Sequence, residues 1–456
     1  MELCMRFLPK FLEPAPILPE IQDPEEINKQ YRYWRIRILY SMFIGYALFY
    51  FTRKSFTFAM PGMIAELGYD KSQLGILASV FSIAYGTSKF ASGIISDQSN
   101  ARYFMAIGLM ITGVINILFG MSSSLFLFVL FWGLNGWFQG CGWPPCARLL
   151  THWYSHSERG SWWSTWNVSH NVGAFLIPWI VGFCIYYFGG WRAGMYVPGI
   201  ICILSGFFLI NRLRDTPQSI GLPPVEKFRN EGQVDEKDEK KISTKEILVE
   251  YILKNPMIWL LSFAYFFVYF VRTGVNDWTA LYLIEVKGYT QLKANGCVSL
   301  FEVGGFFGNL VAGWASDYFF SARRGPVNVL FSALMLLAIL AFWLVPAGYP
   351  WLDSISMLAL GFAIFGPQLL IGVACAELSH RKAAATATGF AGWFAYMGAA
   401  ASGYPLGKIS QDIGWSGFFI SLAACGILSI LLLLPSWSVT ERGKVVATDD
   451  SAAETA

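Results

Sequence analysis

The sequence predicts an all-α membrane protein with twelve transmembrane helices, arranged as two six-helix bundles related by a pseudo-two-fold axis. Three observations carry that reading. Of the 456 residues, 55% are hydrophobic and 17% aromatic while only 14% are charged, far from the balance of a soluble chain. Apolar stretches long enough to span a bilayer fall at about 36–63, 73–96, 103–121, 124–147, 161–188, 191–211, 256–283, 294–316, 326–346, 351–376, 383–409 and 414–435. Finally, the halves repeat. Gly93-Ile94-Ile95-Ser96-Asp97 returns 220 residues later as Gly313-Trp314-Ala315-Ser316-Asp317, and Phe49-Tyr50-Phe51-Thr52-Arg53 falls on Val268-Tyr269-Phe270-Val271-Arg272 at an offset of 219.

In order, residues 1–33 form an N-terminal segment of prolines and acids, without the basic start and apolar core of a cleaved signal peptide. The first bundle covers 34–211 and the second 256–435, with a tail at 436–456. Between them, residues 212–255 hold the one long internal polar stretch, including Glu231-Gly232-Gln233-Val234-Asp235-Glu236-Lys237-Asp238-Glu239-Lys240-Lys241. Its mixed charge predicts a flexible linker, ending in a short amphipathic helix around Thr244 to Ile252. Loops after even-numbered spans carry Arg102, Arg148, Arg159, Arg212, Arg214, Arg323, Arg324, Arg381 and Lys382, and loops after odd-numbered spans carry few bases. Both termini and the linker are therefore expected on the cytoplasmic side.

Composition also excludes functions. The net charge of +3 is dispersed among loops, so no nucleic-acid partner is expected. The eight cysteines contain no CxxC and sit mostly in apolar segments, where they pack rather than bind metal. No GxxxxGK[ST], HExxH or nucleophile–base pattern occurs, which leaves ATP-driven pumping and membrane enzymology unsupported and implies no cofactor.

The first span holds the feature that needs explaining. Arg53 lies roughly 24 Å of helix from Arg37 and about 20 Å from Glu66, so the only charge near it is Lys54 and it sits near the bilayer midplane. A guanidinium there costs on the order of 3 kcal/mol and should face a cavity or a partner. The repeat places Arg272 at the equivalent point of span seven, and in a parallel two-fold repeat both would face one central cavity. Lys54 points about 100° away from Arg53, and Asp277 about 140° from Arg272, so an ion pair between Lys54 and Asp277 would leave both arginines for a ligand. The competing arrangement has Asp277 or Glu302 neutralising an arginine. Two converging guanidiniums suit a doubly charged oxyanion, which they bind through bidentate charge-assisted hydrogen bonds, and phosphate leads.

Other polar residues divide less cleanly. Lys89 is either a further cavity cation or a side chain snorkelling to an interface. His170 shares a helical face with Trp166 and Asn167, beside a thinning glycine at 173. It serves either as a structural hydrogen-bonder or as an anion donor that changes charge with its ligand. The Gly-x-x-Ser-Asp turns ending in Asp97 and Asp317 read as gating and packing devices, whose carboxylates can bond a neighbouring helix N-terminus. Glu302 is the one strong candidate for a protonatable cavity carboxylate, so counter-exchange of anions is favoured over proton symport.

Several long motifs resemble a known family: Gly45-Tyr46 through Arg53-Lys54 with Ala59-Met60-Pro61; Ser82-Ile83-Ala84-Tyr85-Gly86 to Lys89-Phe90; Gly136-Trp137-Phe138-Gln139-Gly140-Cys141-Gly142-Trp143-Pro144-Pro145-Cys146; Trp166-Asn167-Val168-Ser169-His170-Asn171-Val172-Gly173; and Arg214-Asp215-Thr216-Pro217-Gln218-Ser219-Ile220-Gly221-Leu222-Pro223-Pro224. Over residues 30 to 435 the chain is similar to the organophosphate:phosphate antiporters of the major facilitator superfamily. The resemblance implies a bacterial inner-membrane exchanger, expected to be monomeric, that trades a phosphate ester for inorganic phosphate by rocking its halves about a central site. It implies that Arg53, Arg272, His170 and Lys89 bind phosphate, and that Tyr46, Tyr50, Tyr85, Gln139, Trp143, Trp166, Asn167, Tyr269 and Tyr396 line the cavity. Thr388 and Ala391 stand where hexose-phosphate carriers of the family tend to have an acid and a lysine. The ester is expected to be a hexose phosphate such as glucose 6-phosphate, with glycerol 3-phosphate exchange and a hexose-phosphate receptor for a two-component kinase as alternatives.

Overall fold

The computed structural model describes residues 9–155, 157–231, 252–321, 323–379 and 384–438. The helix Thr244 to Ile252 expected from the linker lies outside the described residues except at Ile252, which is buried. Contacts divide the chain into two compact units, residues 1–239 with 280–302, and 240–279 with 303–456.

The first unit begins with α1 (Pro24–Leu67). Asp23 caps it by accepting from the Glu25 amide at 3.0 Å, Pro24 suits the first helical position, and Gly68 ends it in the left-handed region at φ 69°. Helix α2 (Lys71–Asp97) starts with a capping box in which Asp70 and Gln73 exchange side chain to backbone hydrogen bonds of 2.7 and 3.0 Å. Next come α3 (Ala101–Met121), α4 (Leu125–Gln139), α5 (Trp143–Trp153), α6 (Arg159–Phe188), α7 (Ala193–Arg212) and the short α8 (Val225–Phe228). The fourth span, 125–153, is broken into α4 and α5 at Gly140-Cys141-Gly142. Helices α1 and α6 approach closely because residue 173 has no side chain, a Cβ there falling 2.2 Å from the Ala47 carbonyl oxygen.

Residues 9–22 and 213–231 pack together, so the first part of the expected flexible linker is held in place. They pair along their backbones, Leu18 donating to Gln218 at 3.0 Å and Ile21 to Gly221 at 2.8 Å. Asp215 anchors the pair: its buried carboxylate accepts from the Ala15 amide at 3.2 Å and the Ala101 amide at 3.0 Å, and it meets Arg148 Nε at 3.2 Å. Buried amides must find acceptors, and one aspartate here serves two of them and a guanidinium.

The second unit is built from α9 (Pro256–Glu285), α10 (Gln291–Phe320), α11 (Arg324–Leu344), α12 (Pro350–Leu378), α13 (Ala384–Ala401), α14 (Tyr404–Asp412) and α15 (Trp415–Leu433). The last turns of α9 and the first turns of α10 count with the first unit, where Gln291 donates to the Phe58 carbonyl at 3.1 Å and Asn295 to the Pro178 carbonyl at 2.9 Å. Within the second unit α9 and α13 approach closely, a Cβ at Gly398 falling 2.0 Å from the Phe266 carbonyl.

Among the described residues ten helical stretches are long and apolar enough to cross a membrane. Two more of the expected spans fall short of that measure for identifiable reasons. Helix α1 carries Arg53 and Lys54 amid tyrosines, and the eleventh span is broken into α13 and α14 at Ser402-Gly403.

Candidate functional site

The first unit brings most of the expected residues together around Arg53. Its Nε donates to Gln139 Oε1 at 3.1 Å, and its guanidinium lies 4.4 Å over the Tyr50 ring and 4.3 Å over the Tyr85 ring. Gln139, the last residue of α4, is buried, and its Nε2 faces three acceptors: the Phe49 carbonyl at 3.1 Å, Thr52 Oγ1 at 3.0 Å and Asn135 Oδ1 at 3.3 Å. That network decides which amide atom is which, because only the oxygen can then meet the guanidinium. Asn135 in turn donates to the Thr52 carbonyl at 2.8 Å, and Thr52 Oγ1 meets Thr112 Oγ1 at 3.1 Å. Behind the arginine, therefore, a buried polar ladder fixes α1 against α3 and α4.

An aromatic wall continues from it. Tyr46 packs at 5.9 Å from Tyr50 and 5.0 Å from Trp166, Tyr50 lies 6.0 Å from the His170 ring, and Trp163 links Trp166 to Trp143 at 6.0 and 5.8 Å. Lys89 joins the wall, its ammonium 5.4 Å over Trp143. His170 turns Nδ1 to the carbonyl of Asn167, one turn back. A carbonyl only accepts, so Nδ1 carries the proton of that contact.

In the second unit Arg272 lies 5.4 Å over Tyr269 and 5.1 Å over Phe365. Tyr269 packs 4.8 Å from Tyr265 and 5.9 Å from Tyr396, and Tyr265 donates to the Gln368 carbonyl at 2.8 Å. Each arginine thus sits over the tyrosine three residues before it, with a second tyrosine four residues earlier still. Tyr265 repeats Tyr46 at the offset of 219 that pairs the arginines, so that offset was the signal for it. The second ring breaks the symmetry: Tyr85 comes from α2, Phe365 from α12.

Asp317 meets Arg324 at 2.5 Å, and Arg324 also meets Glu377 at 2.9 Å. The carboxylate thus bonds the side chain opening α11 rather than that helix's amides. The side chain of Asp97 lies outside the described residues. Lys54 and Asp277 are half-buried, one in each unit. Glu302 is buried and accepts from Asn171 Nδ2 at 3.2 Å.

Residues 42–404 match the family model described as Major Facilitator Superfamily. The chain belongs to that superfamily. It is 59% identical over 450 residues to the "Probable hexose phosphate transport protein" of Chlamydia trachomatis serovar D, covering 96% of this chain and 98% of the relative. It is 50% identical over 427 residues to the "Membrane sensor protein UhpC" of Escherichia coli K12, with 93% and 97% covered. With the "Hexose-6-phosphate:phosphate antiporter" of the same bacterium it shares 34% over 424 residues, with 89% and 90% covered. This superfamily member is a multi-pass membrane transport protein rather than an enzyme, and its nearly full-length likeness to bacterial relatives fits the ten long apolar helices found among the described residues.

Proposed function

We propose that this superfamily member exchanges a hexose phosphate, of the glucose 6-phosphate type, for inorganic phosphate by alternating access. One observation carries the reading: Arg53, at the middle of an apolar helix, is held by Gln139 and flanked by Tyr50 and Tyr85. A guanidinium fixed this way loses little freedom when an oxyanion arrives, and its fork suits two phosphoryl oxygens. Arg272 supplies the second fork by the internal repeat, and Lys89 adds charge. His170 donates from Nε2 once the ring takes a second proton. Tyr46, Tyr50, Tyr85, Trp143, Trp166, Asn167, Tyr269 and Tyr396 are assigned to the rest of the ester. Pairing of Lys54 with Asp277, and gating by the turns at Asp97 and Asp317, belong to the same proposal. So do a monomeric state and a bacterial inner-membrane location with both termini in the cytoplasm. The relatives named for hexose phosphate transport support the choice of ester.

Proteoliposomes preloaded with phosphate test it. Labelled hexose phosphate should enter only when phosphate can leave, and glycerol 3-phosphate should compete weakly. Uptake that ignores the internal phosphate and collapses with a proton uncoupler would mean symport instead. The second reading, a receptor binding the same ester, draws support from the likeness to a membrane sensor protein. Specific binding of the ester without exchange in these vesicles would favour it.

A further inference from the structure

A second basic site lies away from Arg53, where α1 enters its apolar span and α7 leaves its own. There a cavity of about 500 Å³ is lined by Lys29, Arg32, Tyr33, Arg37 and Tyr40 of α1 and by Arg212, the last residue of α7. Lys29, Tyr33, Arg37 and Tyr40 recur every three or four positions and so share one helical face, with Arg32 beside them. Neutral oxygens orient the cations: Arg212 donates to Tyr40 Oη at 3.3 Å, and Arg37 donates to the Asn211 carbonyl at 3.2 Å, to its side-chain oxygen at 3.1 Å and to Tyr33 Oη.

Carboxylates are scarce here. Glu26 lies 3.7 Å from Lys29, and among the described residues no carboxylate pairs with Arg32, Arg37 or Arg212. The excess is felt next door, where Arg214 stacks 4.7 Å over Trp34. Burial, then the charges of Arg102 and Arg37, depress its pKa. A cavity of this size with like charges and hydroxyls in it is built for an anion.

The surroundings identify which kind. Tyr33, Ile36 and Tyr40 are 52%, 59% and 37% exposed, an amphipathic set suited to a membrane boundary. One turn further into the apolar span, Ile44 on α1 and Leu204 and Phe207 on α7 are also exposed, and Tyr40 packs 6.5 Å from Phe208 across the two helices. The cationic pocket therefore borders an exposed apolar surface of the kind that faces hydrocarbon in a bilayer. We infer that the α1–α7 pocket binds the phosphate headgroup of an anionic phospholipid, whose acyl chains lie along Ile44, Leu204 and Phe207. This site is independent of the transport reading.

Native mass spectrometry of the detergent-purified full chain tests it, with phosphatidylglycerol and phosphatidylcholine of equal chain length supplied together. Phosphatidylglycerol should be retained about tenfold over phosphatidylcholine, as expected where several cations meet a charged headgroup. Arg32→Glu should remove that preference; the side chain is exposed, so its melting temperature should stay at the wild-type value. Arg212→Gln should weaken it too. Equal retention of the two lipids, or an undiminished preference in Arg32→Glu, would overturn the proposal. Displacement of the lipid by glycerol phosphate or inorganic phosphate at matched concentration would also overturn it, in favour of a free-anion site.

Discussion

Arg53 and Gln139 stand 86 residues apart in sequence, yet the arginine's Nε donates to the glutamine's Oε1 at 3.1 Å inside the first unit. The amide nitrogen is committed to Phe49, Thr52 and Asn135, so Gln139 acts as a fixed acceptor that sets the guanidinium's direction. Hydrogen bonds to charged groups are worth roughly 1.5–3 kcal/mol. Gln139→Leu should therefore raise the apparent KM for the phosphate ester by about 10- to 100-fold in an exchange assay. Gln139→Glu should do worse, since a carboxylate in the same place neutralises the guanidinium. Unchanged KM in Gln139→Leu would show that the tether does not orient Arg53.

Arg53→Lys and Arg272→Lys test the fork itself. Lysine keeps the charge but loses the planar pair of donors, and each substitution should cut exchange by about two orders of magnitude, the scale of one strong bidentate contact. The two need not be equal. The guanidinium of Arg53 lies between the Tyr50 and Tyr85 rings, whereas that of Arg272 lies over Tyr269 and the Phe365 ring of α12. Measured as KM and kcat separately, a lysine that retains wild-type exchange at either position would remove that arginine from the site.

How far the sequence reached depends on the range of the interactions. The spans were legible because hydropathy is local, and Arg272 was legible because a repeat carries register across 219 residues. That register also reaches Tyr265, which stands to Arg272 as Tyr46 stands to Arg53. The Gln139 tether was not legible, because spacing along one helix says nothing about which neighbour lies beside it. Nor was the docking of residues 9–22 on 213–231. Both segments are rich in proline and charge, which reads as loop, and what orders them is a few backbone hydrogen bonds and the carboxylate of Asp215.

Gly173 was legible as a thinning of the helix beside His170, and its structural role is steric. A Cβ would meet the Ala47 carbonyl at 2.2 Å, and a backbone oxygen on a packed helix cannot swing aside. Gly173→Ala should lower stability by about 1–3 kcal/mol, the usual cost of overpacking, and show as a drop in melting temperature. Gly93→Ala is the matched control, since nothing lies within 4 Å of a Cβ there. Equal melting temperatures for the two variants would rule out the close approach of α1 and α6.

Glu158 offers a test with a pH axis. Just ahead of α6, its carboxylate meets Arg35 at 2.5 Å and Arg229 at 2.8 Å. Burial alone raises its pKa, but the hydrogen bonds and charges of Arg35 and Arg229 outweigh this and hold it below the ordinary value of 4.5. A carboxyl depressed in the folded state binds fewer protons there than in the unfolded chain, so it stabilises the fold above that ordinary value. The contribution fades as pH falls through the lowered one. Wild type should therefore melt above Glu158→Gln by a constant margin from pH 5 to 8, and the margin should shrink as the pH is lowered beneath 4.5. Since Glu158 is partly exposed, added salt should narrow it at neutral pH as well. A margin that widens on acidification would mean that the glutamate is destabilising when charged, and that Arg35 and Arg229 do not hold it as an ion.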